Sequence, residues 1–246
     1  MAHYQQIKFV SELADNLPDY FSNKKVLEIG SWDVNGSVRS FFKNCEYVGA
    51  DVAAGPGVDL VCRGEAIQLP DASFDVVISC ECFEHNAAWQ ATFRNMLRLL
   101  KPGGLCVITC ATLGRSEHGT KRTNPGASLT ALENFPDYYK NLTPADFKRA
   151  VDLPEFFSEY FFTLNKFSKD LYFVGILNSQ MSSNTKAQID SRLIERVRAI
   201  KREKRTNYMR QINITTKFFY RYALATLLGE SSYHNFMYKL SRRKSN

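Results

Sequence analysis

FDVVISC, at residues 74–80, is a nearly continuous apolar run bounded by turn-forming residues. A run of this kind is typical of a strand that is covered on both faces, as in a parallel sheet. Residues 87–100 then place apolar side chains at helical spacing and end at the KPGG turn of residues 101–104. Residues 105–110 form another buried run. The middle of the chain therefore predicts a strand, a helix and a second strand.

The segments before this unit repeat the alternation. KKVLEIG at residues 24–30 predicts a strand that ends at a glycine, and residues 47–51 and 58–62 predict two more. Residues 37–43 predict a helix between the first two strands. Such alternation indicates an α/β fold, a Rossmann-like open and mostly parallel sheet of about seven strands with helices on both faces.

The remaining segments complete a domain and add an extension. An N-terminal helix, a long loop over the site and two closing strands are predicted at residues 4–17, 111–142, 155–162 and 170–177. The pattern after residue 182 becomes helical and basic. We therefore divide the chain into a domain of residues 1–182 and a mostly helical C-terminal extension of residues 183–246.

The composition excludes several classes of protein. The chain has 246 residues, of which 44% are hydrophobic and 23% charged, as in soluble globular proteins. Its first residues contain no uninterrupted apolar run, and no stretch reaches the roughly 18 apolar residues of a membrane span. We therefore expect a cytoplasmic protein. The six cysteines form no CxxC pair, so reduced thiols and no metal site are expected.

The extension differs from the domain in charge. Residues 183–246 hold 15 Lys and Arg against 4 Asp and Glu, whereas the remaining residues hold 17 against 21. A basic helical segment of this kind can fold onto its own domain, pair with a second copy, or dock peripherally on the anionic inner face of a membrane. RNA contact is less favoured, because no nucleic-acid-binding motif accompanies the basic residues.

Two short segments at predicted strand ends favour a nucleoside-type ligand, since open α/β sheets bind ligands at these ends. GSWDVNG at residues 30–36 follows the first strand, and its leading glycine permits close approach of the backbone. Asp51 ends the second strand, where a carboxylate can accept hydrogen bonds from both ribose hydroxyls. These residues alone do not separate NAD from S-adenosylmethionine.

Three motifs further along the chain carry a family resemblance. RGEAIQLPDASFD at residues 63–75 leads into the buried strand, ECFEHN at 81–86 follows it, and LLKPGGL at 99–105 comes later. Together with the first two strand ends, these segments resemble the class I S-adenosylmethionine-dependent methyltransferases. The closest likeness is to the broad small-molecule and glycan group with LPxxSFD, EH and LKPGG motifs, and it covers residues 24–110.

The resemblance implies S-adenosylmethionine as the cofactor and a role for each matching residue. Glu28, Gly30 and Ser31 would hold its methionine end, Asp51 and Val52 the ribose, Gly64, Glu65 and Ala66 the adenine edge, and Cys80 and Glu81 the floor beside the sulfonium. The usual GxGxG is replaced by GSWDVNG, which leaves the path of that loop open. A nicotinamide dehydrogenase would need GxGxxG after the first strand, and this spacing is absent.

Methyl transfer depends mainly on in-line positioning, and a hydroxyl acceptor benefits from a base. His85, in the EH pair, and His118, in the long loop, are the candidate catalytic residues. Tyr138 and Tyr139 are candidate substrate-binding residues, because an aromatic ring with a polar tip suits a sugar. Structural roles for the same histidines and rings remain open.

We therefore expect methyl transfer to an oxygen of a sugar, glycan or other small-molecule acceptor. Two further functions remain open from the sequence. One is an RNA methyltransferase that uses the basic extension to contact phosphates. The other is a catalytically silent, methyltransferase-like binding subunit.

Overall fold

A computed structural model of the chain describes residues 4–34, 36–132, 135–179, 191–199 and 208–242. The strands are β1 (Lys25–Ile29), β2 (Glu46–Asp51), β3 (Leu60–Val61), β4 (Phe74–Cys80), β5 (Leu100–Ala111), β6 (Phe157–Asn165) and β7 (Asp170–Leu177). The helices are α1 (Tyr4–Asn16), α2 (Trp89–Leu99), α3 (Leu129–Leu132), α4 (Pro144–Ala150), α5 (Leu153–Phe156), α6 (Ser191–Ala199), α7 (Tyr208–Leu228) and α8 (Glu230–Arg242).

All seven strands belong to one sheet with the order β3-β2-β1-β4-β5-β7-β6. The pairs from β3 to β5 are parallel, and β7 runs antiparallel to both β5 and β6. The predicted Rossmann-like, mostly parallel sheet is therefore confirmed. The strand order reverses between β1 and β4, so their carboxyl ends border a crevice where ligands bind in such sheets.

The sheet is covered on both faces by separate apolar layers. Val77 of β4 packs in the layer that contains α2, while Val76 and Ile78 pack in the layer that contains α1. This two-sided burial explains why the sequence of β4 is nearly continuous in apolar residues. Leu193 and Val197 of α6 are fully buried in the second layer, at the spacing expected for one helical stripe.

The helix predicted at residues 37–43 is wrong. The structure has only a single 3-10 turn there, at Arg39–Phe41. The backbone of Lys43 is already engaged in a bridge to the segment before β1: its N–H donates to the Phe21 carbonyl at 2.8 Å, and its carbonyl accepts from the Asn23 N–H at 3.0 Å. A helix cannot continue through Lys43 because these bonds replace the helical ones.

The C-terminal helices α7 and α8 form a hairpin that packs on the domain. The Tyr233 hydroxyl of α8 donates to the Gly114 carbonyl at 2.9 Å, the Asn141 N–H donates to the Glu230 carboxylate, and Arg122 donates to the Asn235 side-chain oxygen at 2.7 Å. Part of the predicted basic segment, residues 200–207, lies outside the described residues. Among the helices described, none combines the length and apolarity required to cross a bilayer.

Candidate active site

A cleft of about 1020 Å³, counted with its open mouth, lies at the carboxyl ends of β1, β2 and β4. The lining residues come from the segments after these strands, from the turn after β3 and from the loop after β5. They include Gly30, Trp32, Val34, Asp51, Val52, Arg63, Gly64, Glu65, Glu81, Cys82, His85, Asn86, Ser128, Leu129 and Phe135. The loop after β5 therefore covers the site, as the sequence predicts.

The loop after β1 begins at a position that only glycine suits. Gly30 has a φ of +82°, and a Cβ built there would lie 2.4 Å from the Cβ of Cys82. The loop then turns back toward β2, where the Trp32 N–H donates to the Asp51 carboxylate at 3.0 Å. The path left open by the missing GxGxG glycines is thus fixed by Asp51, and Trp32 becomes a wall of the cleft.

Asp51 is held by two backbone donors at the edge of the cleft. Trp32 donates to one carboxylate oxygen, and the Val52 N–H donates to the other at 2.7 Å. Burial raises the pKa of Asp51 above its ordinary value, while these two hydrogen bonds oppose the shift. Each oxygen keeps a free lone pair, so the side chain can still accept hydrogen bonds from a ligand.

The opposite end of the cleft is formed by the turn after β3. The Asn95 side chain donates to the Gly64 carbonyl at 2.7 Å, and the Thr92 hydroxyl donates to the Glu65 carboxylate at 3.2 Å. These contacts tie the turn to α2. The Arg63 guanidinium lies 5.2 Å from the ring centre of Phe135, which joins this turn to the covering loop.

Four predicted cofactor residues are not among those that line the cleft: Glu28, Ser31, Ala66 and Cys80. Glu28 is buried and accepts a hydrogen bond from the Tyr47 hydroxyl at 2.7 Å, and burial raises its pKa to about 7. Ser31 is buried behind the loop, Cys80 is buried in the α1 layer, and Ala66 is exposed at an outer groove. Their assigned roles remain predictions.

The structure brings the two candidate catalytic histidines together. His85 lines the cleft, and the His118 ring lies behind it with ring centres 5.2 Å apart. Burial lowers the pKa of His85 well below its ordinary value, and burial together with the Arg115 charge lowers that of His118 to about 4. Both imidazoles are therefore neutral near pH 7, with a lone pair available to accept a proton.

The two candidate substrate tyrosines do not line the cleft. Tyr139 packs against His85 and His118, with ring centres 5.4 and 5.1 Å apart, and its hydroxyl lies 3.2 Å from Nδ1 of His118. Tyr138 is only partly buried beside it. Tyr139 is thus placed to position the histidines, and direct contact of either tyrosine with an acceptor stays a prediction.

Buried carboxylates surround this histidine pair. Glu81 lines the cleft at the sharp turn after β4, with a φ of +52°, and one of its oxygens lies 3.7 Å from the Arg115 guanidinium. Arg115 also pairs with Asp170. Glu84 is fully buried and accepts from the Ala111 N–H at 3.2 Å; burial and the charge of Glu81 raise its pKa well above the ordinary value.

Several residues of the site carried no usable signal in the sequence. Trp32 lies in the segment where the family glycines are absent, and Ser128 and Phe135 lie in an aperiodic loop. Arg115 and Asp170 are 55 residues apart in the chain and meet only because β5 and β7 pair. A motif search cannot find contacts that depend on strand pairing.

Comparisons with known proteins agree with this geometry. Residues 40–108 match the family described as methyltransferase domain. The structure of a Burkholderia thailandensis 1,6-didemethyltoxoflavin-N1-methyltransferase is similar, with 13% identity, a TM-score of 0.50, and coverage of 72% of this chain and 79% of that one. A phosphoethanolamine N-methyltransferase 2 from Haemonchus contortus has 14% identity, a TM-score of 0.50, and coverage of 70% and 52%. A sequence search of curated proteins found no match.

At these identities the two structures establish a shared fold. The family match assigns a methyltransferase domain to residues 40–108, and the sheet order and the cleft at the ends of β1, β2 and β4 agree with the fold of the class I S-adenosylmethionine-dependent methyltransferases. S-adenosylmethionine is the methyl donor that the sequence motifs imply, and the two similar structures hold S-adenosylhomocysteine or S-adenosylmethionine. The residues fit this donor, because Gly30 leaves room for close backbone approach and the Asp51 carboxylate offers acceptors for a ribose.

Proposed function

We propose that this methyltransferase acts on an oxygen of a sugar, glycan or other small-molecule acceptor. The observation that carries the proposal is the position of the His85 ring on the lining of the cleft with the His118 ring packed against it, because an imidazole placed there can reach the hydroxyl of a bound acceptor.

The donor would be held by residues on both sides of the crevice. We assign the methionine end to the loop of Gly30 and Ser31 above Glu28, the ribose to Asp51 and Val52, and the adenine edge to residues 64–66. When bound, S-adenosylmethionine supplies a methyl carbon that forms a bond to the acceptor oxygen while its bond to sulfur breaks and leaves the electron pair on sulfur. Glu81 lines the cleft, and we assign Glu81 and Cys80 to the floor beside the sulfonium.

The acceptor hydroxyl would be activated by the histidine pair. His85 faces the cleft and takes the hydroxyl proton onto an imidazole nitrogen, while the electron pair of the O–H bond stays on the oxygen as the nucleophile. His118 and Tyr139 hold the His85 ring from behind. We therefore assign His85 the role of base, and His118 and Tyr139 the role of positioning it.

The first test separates donor binding from turnover. Calorimetry should show binding of S-adenosylmethionine and competition by S-adenosylhomocysteine. Transfer of a labelled methyl group should then be measured on sugars, glycans and other small hydroxyl compounds, with RNA as the comparison acceptor. His85→Gln should bind the homocysteine product normally and lose turnover. Methylation of RNA alone would favour the RNA methyltransferase, and donor binding without turnover on any acceptor would favour a silent subunit.

We also propose that residues 183–246 form an extension of the 1–182 domain that docks on an anionic membrane surface. Large apolar side chains of the hairpin are exposed, with Phe219 at 55%, Tyr220 at 63% and Leu227 at 83%. The extension is strongly basic, with 15 Lys and Arg against 4 Asp and Glu, whereas the remaining residues carry a net negative charge. An exposed apolar face on a basic helix suits the interface of anionic lipids.

The docking test uses the whole chain, because α8 contacts the loop over the active site. Flotation with vesicles containing phosphatidylserine should recover the protein, and neutral vesicles should recover much less. Leu227→Ser should reduce the recovery, whereas Val61→Ser, which replaces an exposed apolar residue on β3, should not. A chain that stays unbound to vesicles and elutes as a dimer, with the dimer lost in Leu227→Ser, would assign this face to a second copy instead.

A further inference from the structure

The buried wall of the cleft contains a set of side chains with the chemistry of a metal site. Glu84, His85 and His118 each offer one ligand atom, and these atoms all lie within 4.8 Å of one another. Ligand atoms bound to one ion at about 2.1 Å lie about 3.0–3.4 Å apart, so the atoms of this set would have to move closer by at most about 2 Å to share an ion. The distances permit a metal site, and the hydrogen bonds of these side chains show which atoms are available to bind an ion.

Two atoms of the set are buried and have no partner. Oε2 of Glu84 and Nδ1 of His85 are inaccessible to solvent, and within the described part of the chain neither finds a hydrogen bond. The His85 ring also packs closely on Gly119, where a Cβ would lie 2.7 Å from Cε1. Buried polar atoms normally have partners, and an absent ion is one explanation for those that do not.

The third member is oriented as metal-binding histidines are. Nδ1 of His118 lies 3.1 Å from the Ser116 carbonyl, which accepts a hydrogen bond only if Nδ1 carries the proton. This tautomer leaves the lone pair on Nε2. Histidines that bind metals usually donate their other N–H to a carbonyl or carboxylate in this way. The Tyr139 hydroxyl, 3.2 Å from the same Nδ1, can donate to the Asn141 side-chain oxygen when Nδ1 carries the proton, and His118 then offers Nε2 to an ion.

The charges around the set favour a cation. Arg115 pairs with Asp170 and, at 3.7 Å, with Glu81. Glu84 forms no ion pair with any side chain in the described ranges, which leaves one buried carboxylate without a basic partner. Burial favours the neutral form of the Glu84 carboxyl group, and a bound divalent ion would stabilise its charged form instead. His85 lines the cleft, so an ion bound to this set would lie at the cleft wall.

We propose that Glu84, His85 and His118 bind a divalent transition-metal ion at the inner wall of the methyl-transfer cleft. Two imidazoles and one carboxylate suit Mn²⁺, Fe²⁺, Co²⁺ or Zn²⁺, whereas Mg²⁺ prefers oxygen ligands. The cysteine spacing predicts no metal site, whereas these three ligands are a carboxylate and two imidazoles from two separate segments of the chain. The role of the ion rests on the proposed function: it binds the acceptor oxygen and makes its hydroxyl more acidic.

The ion would change how the hydroxyl is activated. With the imidazole lone pairs bound to the ion, His85 is no longer a free base. The O–H bond of the coordinated hydroxyl breaks, the electron pair stays on oxygen, and the proton passes to a water molecule in the cleft. The acceptor proposed above, an oxygen, is unchanged. The two histidines then act as ligands that hold the ion in place.

The test uses Mn²⁺ and the full chain, without methyl donor or acceptor. The electron paramagnetic resonance signal of free Mn²⁺ should fall until about one ion is bound per chain. Pulsed measurements on the bound ion should show coupling to imidazole nitrogen. Glu84→Gln and His118→Gln should each weaken binding at least tenfold, whereas Asp71→Asn, at an exposed carboxylate, should not.

Absence of binding, absence of nitrogen coupling, or unchanged affinity in both ligand variants would overturn the metal site. Thermal unfolding shows whether each variant is folded; if either is not, the nitrogen coupling of the unsubstituted chain decides. Calorimetry with S-adenosylhomocysteine is run in parallel on metal-free protein. If the protein binds S-adenosylhomocysteine but not Mn²⁺, only the metal site is rejected. If it binds Mn²⁺ but not S-adenosylhomocysteine, the proposed function is rejected.

Discussion

Glu28 is the clearest test of how burial sets the electrostatics of this fold. Its carboxyl group lies inside the domain with 5% of the residue exposed, and it accepts one hydrogen bond from Tyr47. Burial disfavours the charged form and raises the pKa from 4.5 to about 7, although the Tyr47 bond opposes the shift. Glu28→Gln keeps the shape and an acceptor for Tyr47 but removes the charge.

The sign and size of the effect follow from proton linkage. Because the folded state holds this proton more tightly than the unfolded chain, ionisation of Glu28 lowers the free energy of unfolding as pH rises from about 4.5 to about 7. The neutral variant does not lose this stability. We expect the stability of Glu28→Gln relative to the unsubstituted protein to increase by about 2–3 kcal/mol between pH 5 and pH 8.5.

Urea unfolding of both proteins at several pH values measures this difference. Glu46→Gln is the matched control, because that carboxylate is exposed and pairs with Lys25 on the surface. The free energy of unfolding of Glu46→Gln, relative to the unsubstituted protein, should not increase comparably at high pH, since no buried charge is removed. If Glu28→Gln and the unsubstituted protein kept a constant difference across the range, the carboxylate would not be desolvated and our account of β1 would be wrong.

Three further changes test the site and its supports. Asp51→Ala should weaken binding of S-adenosylhomocysteine by about 1.5–3 kcal/mol, or about 10- to 150-fold, because a charged acceptor is lost; unchanged affinity by calorimetry would remove it from the ribose role. Gly30→Ala should lower the free energy of unfolding by about 1–3 kcal/mol in urea, since φ is +82° there, whereas Gly126→Ala, in open space, should be nearly neutral. Tyr233→Phe should lower the free energy of unfolding by about 1 kcal/mol and speed amide hydrogen exchange at residues 112–118, because the hydrogen bond to the Gly114 carbonyl is lost. Unchanged exchange would show that this bond does not stabilise the loop.

The part of the fold that the sequence predicts best is the part governed by local pattern. The buried run at β4, the helix α2 and the two closing strands all follow from apolar periodicity, and the structure places them within a few residues of the predicted bounds. The helix predicted after β1 fails because Lys43 is bonded to residues near Phe21. Periodicity in one segment cannot report a competing bond from another.

The candidate site divides in the same way. Asp51 and Glu65 line the cleft as expected, since strand ends in this topology meet at one edge. Glu28 comes from the LEIG segment that leads into the cleft. Its side chain nevertheless bonds Tyr47 in the α1 layer, on the opposite face of β1 from Leu27 and Ile29, because alternate residues of a strand face opposite sides. The approach of His118 to His85 depends on how the long loop folds back, which no motif records.

The bonds from α8 to the loop over the active site have a consequence for the order in which the protein matures. The Asn141 backbone is bound by Glu230, which is synthesised 89 residues later. The Gly114 carbonyl is bound by Tyr233, which is synthesised 119 residues later. A nascent chain can complete the strands that border the donor cleft well before these anchors exist. We expect it to recognise the donor early in translation but to acquire an ordered acceptor wall only once α8 has left the exit tunnel.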